Sequence, residues 1–154
     1  MPGKDAQAQN ICQLYKMVGL DVNQTGYVEC HGTGTKAGDP VELGAISESL
    51  CAQRSSDKPL IVGSIKTNIG HLEGAAGVAG LIKSVLCLEK GIIPPNTNFK
   101  EPNPAIHFEE WNLKVSGAPV TFWRTAIRAG PPFPPSGLVQ ESILTSVSRR
   151  FRLN

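Results

Sequence analysis

Residues 60–90, LIVGSIKTNIGHLEGAAGVAGLIKSVLCLEK, decide how the rest of the chain is read. Leu60 to Ile65 opens on an apolar run and predicts a buried strand. The polar string Ser64-Ile65-Lys66-Thr67-Asn68 then occupies a turn that ends in Gly70-His71. From Gly74 to Lys90 the pattern is helical. Ala75, Val78, Ala79, Ile82, Val85, Leu86 and Cys87 cover much of its circumference, so this helix is expected to be buried on most sides. Gly74, Gly77 and Gly80 each cost about 1 kcal/mol of helix propensity relative to Ala, a cost usually accepted for close backbone approach. A strand that delivers polar side chains to a glycine-flanked turn, followed by a buried helix, is how α/β proteins build sites at strand ends.

Upstream, the same grammar appears once more. Ile11, Leu14, Tyr15 and Val18 recur at helical spacing between Asp5 and Gly19, with Gly19 as the stop. Tyr27-Val28-Glu29-Cys30 is a short strand candidate, and it runs into the glycine-dense loop His31-Gly32-Thr33-Gly34-Thr35-Lys36-Ala37-Gly38. Asp39 before Pro40 resembles an N-cap with proline at the first helical position, and Glu42 three residues on echoes a capping box. That helix is expected to run through Leu43, Ile46 and Leu50 to about Arg54. Downstream, Gly91 ends the long helix, Ile92-Ile93 is a short strand candidate, and Pro94-Pro95 stops it. Residues 99–111 show no clear period. After about Ser116 the composition changes: Pro131-Pro132 and Pro134-Pro135 break regular structure, and the tail is expected to be largely disordered. The order of elements predicts an α/β layered domain over residues 1–116.

The 154 residues suffice for one domain, and 15 basic against 13 acidic residues leave a net charge of +2. So even a balance argues against nucleic acid or an anionic membrane as partner. The N-terminus lacks the pattern of a signal peptide, and no apolar run is long enough to span a bilayer comfortably. The four cysteines, at 12, 30, 51 and 87, form no C-x-x-C pair and no metal-like spacing with histidine. The expectation is a soluble cytoplasmic protein with reduced thiols and no metal.

Two loops carry the candidate chemistry. Taken alone, His31 to Thr35 reads as a tight turn with a capping histidine, and Lys66 to His71 as a helix entry with incidental polar groups. The first loop also fits a loose dinucleotide fingerprint, Gly32-x-Gly34-x-x-Ala37, but the next strand ends in Ile65-Lys66 where an acidic residue should hold the ribose. The pair of loops is more telling. Two histidines, each after its own strand and each beside glycine, can converge on one pocket and donate hydrogen bonds to a developing enolate or oxyanion. Acyl transfer would further need a nucleophile, and no cysteine of this chain sits on a sharp strand-to-helix turn where its thiol would be activated.

YVECHGTGTKAGDPVELGAI (residues 27–46) and VGSIKTNIGHLEGAAGVAGLIKSVLCLEKGIIPPN (residues 62–96) resemble the β-ketoacyl synthase domain of polyketide synthases, most of all the fungal highly reducing iterative type. The likeness runs from about Gly3 to Lys114. It implies the C-terminal half of a thiolase-like fold, and a Cys-His-His site. There an acyl chain on cysteine is extended by decarboxylative Claisen condensation with a malonyl unit, carried on the phosphopantetheine arm of an acyl-carrier domain. On this resemblance His31 and His71 are the catalytic histidines and Lys66 orders the site. Thr33, Thr35 and Asn68 are placed against the phosphopantetheine arm. Asp39 and Glu42 have a structural capping role, and Gly70 a structural one. It also implies a homodimer, with no cofactor bound directly.

The departures are equally specific. The family's cysteine lies in a DTACSSSL-like segment before HGTGT, and its closing RRASVNSFGFGGTNAH-like segment is replaced here by residues 117–154, which do not align. Cys30 stands where alanine is usual. The expectation is therefore a ketosynthase fragment, inactive alone, with closing strands missing and an apolar interface exposed. The alternatives are a non-catalytic partner of a complete synthase or carrier protein, and a nucleotide-binding α/β domain.

Overall fold

The computed structural model describes residues 3–121. Helix α1, Lys4–Val18, ends as its sequence demands: Gly19 takes the left-handed conformation (φ +67°) and its N–H bonds back to Lys16 and Tyr15. A 3-10 turn, Val22–Gln24, leads into strand β1, Tyr27–Glu29. Helix α2, Gly38–Ile46, continues into a π-helical turn over Ser47–Cys51. Strand β2, Leu60–Gly63, is followed by the one-turn helix α3, Lys66–Ile69. Next come a 3-10 turn, Glu73–Ala75, the long helix α4, Ala76–Lys90, and strand β3, Ile92–Ile93. Strands β4, Leu113–Val115, and β5, Val120–Thr121, close the described chain.

The main sheet is parallel, in the order β1-β2-β4, with Tyr27 opposite Ile61, Glu29 opposite Gly63 and Leu60 opposite Leu113. A second, two-stranded sheet pairs β3 antiparallel with β5. Strand residues alternate between faces. Val28, Leu60, Val62 and Leu113 join Tyr15 of α1, Leu43 and Ile46 of α2, and Leu50 and Cys51 in one apolar core. Tyr27 and Glu29 point to the other face, where they meet Lys83 of α4. Burial on both faces accounts for the wholly buried β1.

Four expectations are revised. Helix α4 is not buried on most sides. Its inner stripe is Ala76, Gly80, Lys83, Ser84 and Cys87, while Val78, Ile82, Val85 and Leu86 are exposed. The long aliphatics at i, i+4, i+7 and i+8 thus form an outward stripe, and the small and polar residues face in. Gly74 lies ahead of α4 in the 3-10 turn, with open space around it, so close approach is not its reason for being there. Strand β4, just past the periodless stretch 99–111, was not expected, because three residues are too few to show alternation. Beyond Ser116, Val120–Thr121 is ordered as β5. The rest of the expected disordered tail, residues 122–154, lies outside the described residues.

Candidate active site

His31 follows β1 and His71 follows α3, so both lie at the C-terminal end of adjacent parallel strands. Their rings meet edge to face, with centroids 5.5 Å apart and planes at 87°. The two loops that were ambiguous singly are thus brought together at one place. His31 is half-buried and His71 is exposed.

The first arm is held by carboxylates. Glu42 of α2, buried, accepts hydrogen bonds from the backbone N–H groups of His31 (2.6 Å) and Gly32 (2.9 Å). Asp39 accepts from the N–H of Gly34 at 3.2 Å. The expected capping role is therefore corrected. The helix starts at Gly38, and its N-cap residue Ala37 has no side chain able to cap it. Thr35 Oγ1 instead accepts from the Gly38 N–H at 3.1 Å, and Asp39 and Glu42 reach out of their helix to clamp the histidine loop. Burial pushes the Glu42 carboxyl above its usual range, against the two N–H donors that favour its ionised form. Lys66 is near enough to favour the ionised form as well. Asp39 is likewise raised by burial.

Gly32 lets this arm approach the second. Its φ is +46°, and a Cβ there would lie 2.7 Å from Ser64 Cβ. Gly70 adopts φ +79° and ψ −179°, a region essentially closed to other residues, and this aims the chain into His71. His71 Nδ1 accepts the Glu73 N–H at 2.8 Å. In the neutral ring the proton is then on Nε2, which is left as a donor. Glu73 itself has φ +46° to close that turn.

Sequence reading missed the brace beneath α3. Asn96 Oδ1 accepts the Ser64 N–H at 3.2 Å, and Thr97 Oγ1 and Asn98 Nδ2 donate to the Thr67 carbonyl at 2.5 and 3.2 Å. The available signal was Asn-Thr-Asn directly after Pro94-Pro95, a turn composition; Asn98 has φ +61°. Thr33 is half-buried and Thr35 exposed on the first arm; Asn68 is exposed on α3 and accepts from Thr67 Oγ1.

The dinucleotide reading fails on the same geometry. The amides that would cradle a phosphate, those of His31, Gly32 and Gly34, already serve the chain's own carboxylates. Cys30, Cys51 and Cys87 are buried and Cys12 is exposed, so the small-hydrophobe reading holds for three of the four. Burial raises the Cys87 thiol, partly offset by Lys83. Among the described residues no three His, Cys, Asp or Glu side chains are grouped as a metal site needs, and no helix is long and apolar enough to cross a membrane.

Residues 1–100 match the family model described as the β-ketoacyl synthase C-terminal domain. The chain belongs to the β-ketoacyl synthase family. Among polyketide synthases, this ketosynthase chain is 56% identical over 115 residues to the highly reducing polyketide synthase Preu1 of Preussia isomera, covering 75% of this chain and 5% of that protein. It is 51% identical over 131 residues to the hybrid PKS-NRPS synthetase pytA of Aspergillus terreus, covering 85% and 19%. Those 131 aligned residues outnumber the 116 that precede the change of composition, so this alignment reaches into the stretch beyond Ser116. The solved ketosynthase from module 1 of the bacillaene synthase of Bacillus amyloliquefaciens superposes with a TM-score of 0.73 at 40% identity, over 78% of this ketosynthase chain and 22% of that one. The fold is thus the C-terminal part of a thiolase-like ketosynthase, and the chain spans about a fifth or less of the proteins it matches.

Proposed function

We propose that this chain supplies the two-histidine part of a ketosynthase site, and that it serves decarboxylative condensation only together with a segment bearing the nucleophilic cysteine. The edge-to-face pair of His31 and His71 carries this reading. The reaction cleaves the carboxylate from a malonyl thioester as CO2 and leaves an enolate, which attacks the acyl thioester and expels the cysteine thiolate. His71 Nε2–H is a donor for the enolate oxygen, and His31 is the second donor. Lys66, near Glu42, favours the ionised form of the clamp on the His31 arm, against the burial that raises that carboxyl. Thr33, Thr35 and Asn68 meet the phosphopantetheine arm of a carrier domain. Thr35 suits this, since its oxygen is engaged by the Gly38 N–H while its own hydrogen is left to donate. Among the described residues three cysteines are buried, including Cys30 directly before His31 with its Sγ toward the Val28 carbonyl, and Cys12 on α1 is exposed.

The outward stripe of α4 supports the same reading. Val78, Ile82, Val85 and Leu86 are the kind of surface that a larger ketosynthase body covers. A non-catalytic role beside a complete synthase would use the same face. We place the protein in the cytoplasm, as part of a homodimeric assembly that acts on carrier-bound substrates.

The test is elongation of an acyl thioester with malonyl-loaded carrier protein. The 154-residue chain alone gives neither CO2 nor product. Fused behind the first part of a relative's ketosynthase, it gives both, and His31→Ala or His71→Ala abolishes them. Elongation by the chain alone, or a fusion indifferent to both substitutions, overturns the proposal.

A further inference from the structure

The face of the sheet under α4 holds a polar cluster that the site chemistry leaves unused. Glu29, Lys83 and Tyr27 are 4%, 5% and 1% exposed. Glu29 Oε2 lies 2.8 Å from Lys83 Nζ and accepts the Tyr27 hydroxyl at 2.5 Å; Glu29 Oε1 accepts the Ile65 N–H at 2.5 Å. The ammonium sits off the line of a well-directed hydrogen bond, so its hold on Glu29 is Coulombic, and it also lies 5.4 Å from the centre of the Tyr27 ring. Gly63, opposite Glu29 in register, leaves the space: a Cβ there would lie 2.9 Å from both the Tyr27 hydroxyl and Asn96 Oδ1.

What this cluster connects is specific. Ile65 is the residue before α3, and Lys83 lies in α4; His71 stands on the loop between those two helices. One carboxylate therefore ties the entry to α3 to the middle of α4, one anchor on each side of the His71 loop. The same residue lies two positions before His31 along β1. A buried ion pair is a poor device for stability alone, since apolar replacements of similar volume are often as good. It is a good device for fixing a relation between segments, because its partners have one satisfactory arrangement.

We infer that Glu29 and Lys83 are positioning residues that set His71 against His31. The statement concerns geometry and holds whether or not the chain condenses acyl units; only its consequence for catalysis rests on the functional reading above. Without the pair, α4 keeps its packing but is free to shift, and the loop ahead of it lets His71 sample other orientations.

The test is nuclear magnetic resonance on the full 154-residue chain. In the parent, the edge-to-face rings place protons of His31 and His71 close enough for a cross-relaxation peak between them. Glu29→Gln and Lys83→Met singly strand a buried charge and lower the melting temperature. The double variant E29Q/K83M removes both charges at nearly constant volume, and the glutamine oxygen still accepts from Ile65. It is expected to melt within a few degrees of the parent, yet to lose the His31–His71 cross-peak. A double variant that keeps the cross-peak at parental intensity overturns the inference, because the pair would then be structural only. Should the double variant not fold, the unaltered chain decides. Its Ile65 N–H must exchange within about tenfold of the Cys30 N–H, which is bonded to the Gly63 carbonyl at 2.7 Å. Faster exchange at Ile65 overturns the inference. A chain that passes these tests but catalyses nothing in any fusion removes the functional reading and leaves this one intact.

Discussion

At the scale of the residue, the histidine pair rests on side chains behind it that hold its backbone. Glu42 offers two oxygens to two adjacent N–H groups. Glu42→Gln keeps one acceptor and turns an NH2 toward the second N–H, so it should cost about 1–3 kcal/mol in urea unfolding at neutral pH. The pH dependence has a definite sign. Burial raises this carboxyl in the folded state, so its favourable contribution is complete below the unfolded carboxylate value and is lost as pH rises through the raised one. The gap between parent and Glu42→Gln should therefore narrow as pH rises; a gap that widens with pH would refute this account. Gly32→Ala forces a left-handed alanine, about 1–2 kcal/mol, and drives a Cβ into Ser64 as well. Gly19→Ala shares the positive φ but meets open space, so it should cost less than Gly32→Ala in the same melts.

At the scale of the element, helix α4 separates what periodicity can report from what it cannot. Its C-terminal end and its cap at Gly91 were legible, and its start within two residues, because they rest on local rules. Its orientation was not. An apolar stripe signals a face that wants cover, and says nothing about whether the cover belongs to the same chain. The polar Lys83 turned inward is found only by seeing Glu29 across the gap, a partner 54 positions away in sequence. At the candidate site, the convergence of the two histidines was legible from glycine-flanked loops after strands. The clamps by Glu42 and Asp39 were misread as caps, since helix-first carboxylates look alike whichever way they bond. The outward stripe makes its own prediction. Val78→Gln, Ile82→Gln and Leu86→Gln together replace exposed aliphatics with a good helix former. Thermal stability should change little, while sedimentation velocity should show less self-association than in the parent. A large loss of stability would mean that the stripe is packed within this chain.

At the scale of the whole molecule, the two faces of the parallel sheet are finished to different degrees. One carries an apolar core closed by α1 and α2; the other carries an ion-paired cluster under a helix whose aliphatics look outward. The chain matches 22% of a solved ketosynthase, which leaves most of that body to account for the uncovered face. Binding of a complementary body stabilises the folded chain by mass action. The segment of a related ketosynthase that precedes its HGTGT-like loop should therefore raise the melting temperature of this chain, and more so at higher concentration. At a hundredfold excess over its dissociation constant the gain is about 2.7 kcal/mol, or roughly 10 °C for a chain of this size. The gain should shrink in the α4 glutamine variant, which keeps the fold but spoils the surface. A shift that is the same with and without that stripe would place the contact elsewhere, at the open edges of the sheet along β1 or β4.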